Sequence, residues 1–307
     1  MSTVGAEALR DAESRLYAHY GLAPRAHHVD LPGVTVRVLE FGADTAPPML
    51  LLHGIGSITA LAAPLIAELA RDRRILAIDW PGHGKSGRFR LTPDLPIREH
   101  AIGVIGAVMD HFSLPRADVV GHSMGAQFSL YFALGMPHRV RRLVLLGAPG
   151  AAFAEVTPAP IMRVMSIPIL GRALLAAPIP RNLFRRSNEG MLGKDIFEGY
   201  PAELLEVGYL AGRRPGFPAS LSSFFHSLIT PAGVRPGVPV SRTELSTLEA
   251  PTLLIWGDRD LFLTPQQAQP SIAAIPNATL ELVAGAGHAP WLNEPQQCAD
   301  AIAKFLA

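Results

Sequence analysis

An α/β fold built around a mostly parallel sheet is the class predicted, and three observations predict it. A short continuous apolar run, Met49–Leu52, suits a strand buried on both faces. Strand-like runs alternate with segments of helical periodicity, which implies parallel strands covered by helices on each side. The 307 residues are 49% apolar and 17% charged, enough to build a large core and contrary to disorder. That length accommodates one large domain with an insertion, or two ordinary domains.

Taken in order, residues 6–20 are predicted as an amphipathic helix, with Leu9, Leu16 and Tyr17 set among charges. Val34–Phe41 alternates in polarity and reads as a half-exposed strand, paired with another near His28–Leu31. Met49–Leu52 is a central strand that ends in His53-Gly54. A helix near 60–70 leads to a strand at Arg74–Asp79. A helix near 97–112, with Ile97, Ile102, Ile105, Met109 and Phe112 on one side, leads to a strand at Asp118–Val120. The helix after Ser123 leads to Arg142–Leu146. The alternation stops near Pro149 and resumes with the strand Pro251–Trp256. A helix near 265–274, the strand Thr279–Val283, a Gly-rich turn and a helix from Pro295 to Phe305 complete the chain. Residues 1–150 and 246–307 are thus expected to form the core, and 151–245 a helical insertion over the sheet. That insertion is rich in Pro, Met, Leu and Arg. Its apolar side chains, Met162, Leu174 and Phe224 among them, are expected to pack it onto the core, some of them lining an apolar pocket. Arg213, Arg214 and His226 read as surface residues within it.

Composition excludes several classes. Lys and Arg number 27 against 26 Asp and Glu, so no net field draws the chain to nucleic acid or anionic lipid. The single cysteine, Cys298, allows no internal disulfide, fits a reducing compartment and reads as a plain buried thiol. The first residues run quickly into charge without an apolar leader. Arg163, Pro168, Arg172 and Pro178 interrupt Ile161–Pro180, so it does not read as a membrane span. A cytoplasmic protein is expected. His19, His27 and His28 are too isolated for a metal site, and no G-x-G-x-x-G follows a strand, so no metal or cofactor is expected. The oligomeric state stays open.

The chemistry concentrates in three places. Gly121-His-Ser-Met-Gly125 follows a strand and precedes an apolar helical stretch. A serine on such a sharp turn is pushed into an exposed, strained position, and the small flanking residues let the backbone fold tightly. Ser123 is therefore the candidate nucleophile, beside a helix N-terminus whose N–H groups suit an oxyanion. A serine hydroxyl needs a base, and the base needs a third group to fix its tautomer. Gly285-Ala-Gly-His288 follows a strand and can hold His288 on a loop at the sheet's carboxyl edge. The acid is expected between them in chain order, where Trp256-Gly-Asp-Arg-Asp260 offers both Asp258 and Asp260.

On these residues the chain resembles the α/β-hydrolase superfamily, in its capped lipase/esterase-like and haloperoxidase-like branch. The matching motifs are His53-Gly-Ile-Gly56, Asp79-Trp-Pro-Gly-His-Gly-Lys-Ser86, Gly121–Gly125, Trp256–Asp260 and Gly285-Ala-Gly-His-Ala-Pro-Trp291, in family order. The resemblance implies a mostly parallel sheet of about eight strands and a cap at 151–245. It also implies Asp260 as the acid, because the family's acid sits in a G-x-x-D pattern. It places the oxyanion hole on the backbone N–H groups of Ile55 and Met124, where each fixed donor is worth about 3–4 kcal/mol. His53, Gly54 and Gly56 are implied as substrate-facing loop residues, with His53 holding the loop by hydrogen bonding. Asp79–Ser86 is read as architecture, His83 included.

The function expected is cleavage of a small to medium, apolar carboxylic ester, thioester or lactone through an acyl-enzyme on Ser123. Carbon–carbon bond hydrolases share the fold and triad. They usually carry a Ser-Gly-x-Gly-Pro-like oxyanion loop and a Trp directly after the histidine, where this chain has His53–Gly56 and Ala289. That activity stands as the alternative, together with perhydrolase-like chemistry and a hydrolase-like ligand receptor of little turnover.

Overall fold

The computed structural model describes residues 3–92, 95–193 and 195–307. Met1 and Ser2, with which the leader reading begins, lie outside them. The chain opens with helix α1 (Thr3–His19) and the strands β1 (Arg25–Leu31), β2 (Val34–Phe41) and β3 (Pro48–Leu52). Helix α2 (Ala63–Leu69) leads to β4 (Arg74–Ile78), α3 (Ile97–His111) to β5 (Ala117–His122), and α4 (Met124–Gly135) to β6 (Val140–Leu146). Five helices follow: α5 (Pro160–Met165), α6 (Pro168–Ala176), α7 (Arg181–Leu192), α8 (Ala202–Gly212) and α9 (Phe217–Leu228). Next come a short hairpin, β7 (Ile229–Thr230) and β8 (Gly233–Val234), and helix α10 (Arg242–Leu245). The chain closes with β9 (Thr252–Gly257), α11 (Pro265–Ile272), β10 (Ala278–Val283), α12 (Pro290–Asn293) and α13 (Pro295–Leu306).

Among the described residues eight strands form one sheet in the order β1-β2-β4-β3-β5-β6-β9-β10. The β1–β2 and β2–β4 pairs are antiparallel and the remaining pairs parallel. Side-chain alternation divides the strands between two cores. Leu50 and Leu52 of β3 face one layer and Met49 and Leu51 the other, all buried. This double burial is why β3 reads as a continuous apolar run rather than an alternating one. The hairpin in the segment between β6 and β9 was not expected, because its two-residue strands are too short to leave a periodic signal. Cys298 is a free buried thiol, and burial raises its pKa to about 12. No helix among the described residues is long and apolar enough to cross a membrane.

The order β4-β3-β5 carries the functional consequence. From β3 the chain crosses to β4 on one side and returns to β5 on the other, so a crevice opens beyond the carboxyl ends of β3 and β5. Ligands of open parallel sheets bind at such a reversal. The loop after β3 begins with His53 and the turn after β5 holds Ser123.

A buried ionic cluster fixes the neighbouring loops. Arg37 of β2 donates to Asp79 and, through both terminal nitrogens, to Glu13 of α1 at 2.8 and 2.6 Å. Asp79 also accepts from the backbone N–H groups of Thr59 and Lys85, which pins the loops after β3 and β4. Burial pushes the Asp79 carboxyl up. Arg37, the two backbone donors and the nearby His53 outweigh it and hold the group well below its ordinary value of 3.8. The stabilisation from Asp79 is therefore complete above that unfolded value and is lost as pH falls through the lower folded one. Substituting Arg37→Met removes the cation and leaves two carboxylates facing each other in the core. This is expected to cost about 3–5 kcal/mol, measured as a lowered urea midpoint at neutral pH.

Candidate active site

The turn after β5 is shaped by backbone crowding. Ser123 sits at φ +53° and ψ −118°, a conformation an L-residue adopts only where its surroundings enforce it. A Cβ on Gly121 would lie 2.4 Å from the Gly125 carbonyl oxygen, and one on Gly125 would lie 2.2 Å from that of Leu52. Both contacts are with backbone, so neither can relax by a side-chain movement. The two glycines let β5 and α4 close over the end of β3. The Ser123 N–H donates to the Leu146 carbonyl of β6 at 3.3 Å, which ties the turn to the neighbouring strand.

His288 lies on the loop between β10 and α12 and is 4% exposed. Its Nδ1–H donates to Asp260 Oδ2 at 2.8 Å. Asp260 also accepts from the N–H groups of Ala148 and Phe262, both at 2.9 Å. Burial pushes the Asp260 carboxyl up, but the electrostatic effect of the neighbouring His288 and these hydrogen bonds prevail and hold it below the ordinary carboxylate value. Asp258 plays a different part: its Oδ1 accepts from the Gly285 N–H at 2.8 Å, at the exposed end of the loop. The Phe262 ring packs against the imidazole of His288, with centroids 4.2 Å apart. Gly147, at the end of β6, is crowded by the His288 carbonyl oxygen and by Asp260, so it can carry no side chain.

Two of the three side chains are thus joined directly, and the third, Ser123, follows His122 in the chain, whose ring packs on His288. Ser123 Oγ and His288 Nε2 each lack a hydrogen bond among the described residues. Such links are commonly long and tighten in the complex with substrate. What joins the serine turn to the histidine loop is His122, a residue that sequence reasoning passed over as the variable position of the motif. Its Nε2–H donates to the His288 carbonyl at 3.1 Å, and its ring packs on His288 and Trp291 at 4.8 and 4.4 Å. Burial, helped by the neighbouring imidazole of His288, holds the His122 pKa well below the usual histidine value. Its only sequence signal was a ring of the right size placed next to Ser123.

The loop after β3 is held in shape by two neutral imidazoles. His53 Nε2 accepts from the Trp80 N–H at 3.1 Å and its Nδ1–H donates to Gly54 O at 2.8 Å. His83 Nε2 accepts from the Gly56 N–H at 3.2 Å. Burial lowers both pKa values, that of His83 to about 3. With both ring nitrogens engaged, His53 shapes the loop rather than reaching out of it. Gly54 is pressed against Ser123 and His122, where a Cβ would come within 3.0 Å of each. The Gly56 N–H is used, whereas those of Ile55 and Met124 find no acceptor among the described residues. Both donors lie next to residues of the serine turn or in contact with it: Met124 follows Ser123, and Ile55 follows Gly54, which is pressed on Ser123.

The segment between β6 and β9 closes over this edge. Leu221 of α9 touches Gly56, and Ser220 packs against Gly82. The carbonyl of Leu192, at the end of α7, is so close to Gly287 that no side chain fits there. His226 bonds to Ser166 O and Arg213 to Ile179 O and Tyr209, contacts within the segment, whereas Arg214 donates to Ser86 O and ties the segment to the loop after β4. Among the described residues no group of three His, Cys or carboxylate side chains could hold a metal ion.

Comparison with known proteins agrees with this architecture. The family described as alpha/beta hydrolase fold matches residues 47–295, and the chain belongs to it. An uncharacterised protein of Mycobacterium tuberculosis is 29% identical over 267 residues, covering 86% of this chain and 76% of its own. A 2-hydroxymuconate semialdehyde hydrolase of Pseudomonas putida is 32% identical over 269 residues, covering 85% and 87%. Among solved structures, a carboxylesterase of Bacillus subtilis superposes with a TM-score of 0.78 at 21% identity, covering 99% of this chain and 98% of its own.

Proposed function

We propose that this α/β hydrolase is a serine esterase acting on a small to medium, apolar carboxylic ester, thioester or lactone. The observation that carries the proposal is the run of contacts from Asp260 through His288 to His122 and the strained Ser123 turn. On this reading His288 takes the Ser123 proton as Oγ attacks the substrate carbonyl. Asp260 stabilises the imidazolium, and the Ile55 and Met124 N–H groups hold the oxyanion. The tetrahedral intermediate collapses as His288 protonates the leaving group. Water, deprotonated by the same imidazole, then releases the acid from Ser123. Residues 151–245 act as a cap, and His53, Gly54 and Gly56 form the substrate-facing loop.

A second reading is favoured by one observation. The Pseudomonas relative, at 32% identity, is named for hydrolysis of 2-hydroxymuconate semialdehyde, a carbon–carbon bond cleavage that this set of groups can also perform. The two are separated by giving pure protein an acyl-length series of p-nitrophenyl esters beside 2-hydroxymuconate semialdehyde. Repeated ester turnover with the higher kcat/KM is expected. A higher kcat/KM on the dienoate would select the second reading, and a single turnover on every compound would point to a receptor.

A further inference from the structure

We infer that the segment spanning α5 to α7 is a docking face for an anionic phospholipid surface, lying beside the active-site edge. Among the described residues eight large apolar side chains are exposed, and six of them fall in this one stretch: Ile161, Ile169, Leu170, Leu174, Leu183 and Met191. Ile169 is 85% exposed. Helix α6 buries only Gly171 and turns most of its side chains outward. So concentrated an exposure of aliphatic groups marks a surface that meets something other than water.

Charge says what that something is. Residues 160–192 hold five arginines, at 163, 172, 181, 185 and 186, against Glu189 alone, a local charge of +4. The whole chain is only +1, so the remainder carries −3. The near-neutral total conceals this imbalance. Arg172 and Arg186 are exposed and have no protein partner among the described residues, whereas Arg181 and Arg185 pair with Glu206 and Glu189. Arginines interleaved with aliphatic side chains on short helices match an anionic headgroup layer above acyl chains. The prolines and arginines that stop this stretch from spanning a bilayer are compatible with its lying on one. Its far end, Leu192, is packed on Gly287 beside His288, so a docked face would hold the site against the lipid phase.

The test is flotation of the full chain with vesicles of phosphatidylcholine alone or of equimolar phosphatidylcholine and phosphatidylglycerol. Binding is expected to the mixed vesicles only and to weaken as salt rises. The triple substitution Ile169→Ser, Leu170→Ser, Leu174→Ser and the pair Arg172→Glu, Arg186→Glu are each expected to lower the bound fraction ~10-fold or more. All five positions are exposed, so turnover of a soluble p-nitrophenyl ester should be unchanged, which confirms an intact fold. Because flotation needs no catalysis, its outcome is independent of the proposed reaction. No flotation with either vesicle, equal flotation with both, or unchanged flotation of both variants would overturn the inference. So would a dimer in light scattering that the triple substitution dissolves, since a second copy would then be the occupant.

Discussion

Ser123→Ala is expected to lower kcat/KM for p-nitrophenyl esters by ~10⁴- to 10⁶-fold and to abolish labelling by a fluorophosphonate. Ser123 Oγ holds no hydrogen bond among the described residues, so its removal leaves no buried partner unsatisfied. Stability should therefore stay within about 0.5 kcal/mol of the parent, read from denaturant midpoints. A variant that folds but retains full esterase activity would remove Ser123 from the mechanism. The strain at its φ of +53° persists in alanine, so the fold carries that cost in both proteins.

Asp260→Asn is expected to lower kcat by ~10⁴-fold with little change in KM. An asparagine has one oxygen: it can keep the Phe262 N–H, bonded to Oδ1, while its NH2 takes the Oδ2 place shared by Ala148 and His288. Its amide would then face His288 Nδ1 and donate to it, moving the ring proton to Nε2. The imidazole could no longer accept a proton from the serine. Asp258→Asn serves as the contrast: its carboxylate bonds the Gly285 N–H, not the imidazole. Activity within a few-fold of the parent is expected there. Steady-state kinetics of the two variants side by side checks the assignment, and equal losses would contradict it.

The sheet was legible because its strands obey simple rules. Met49–Leu52 and Leu143–Leu146 are buried on both faces and announce themselves as apolar runs, and the observed strands begin one or two residues before the expected Met49 and Arg142. β5 was harder to delimit. It reaches His122, two residues beyond the expected Val120, because glycine and histidine carry no strand signal of their own. The site was legible where spacing dictates geometry, as in the two glycines flanking the serine turn. It was less so where only three dimensions decide. Asp258 and Asp260 differ by two positions in the chain, yet one closes a loop at the surface and the other meets an imidazole in the interior. His122 escaped notice for the same reason: its partner is a carbonyl 166 residues away. Locally, nothing in the segment from α5 to α9 separates buried from exposed apolar residues, since its short helices bury different faces on different neighbours.

Three imidazoles around the serine loops share one protonation state. His53, His83 and His122 are kept uncharged by the dry surroundings they occupy. Acidification through the ordinary histidine range therefore leaves these three rings uncharged and the loops they hold in shape. Any rate lost on mild acidification should then reverse on neutralisation without refolding.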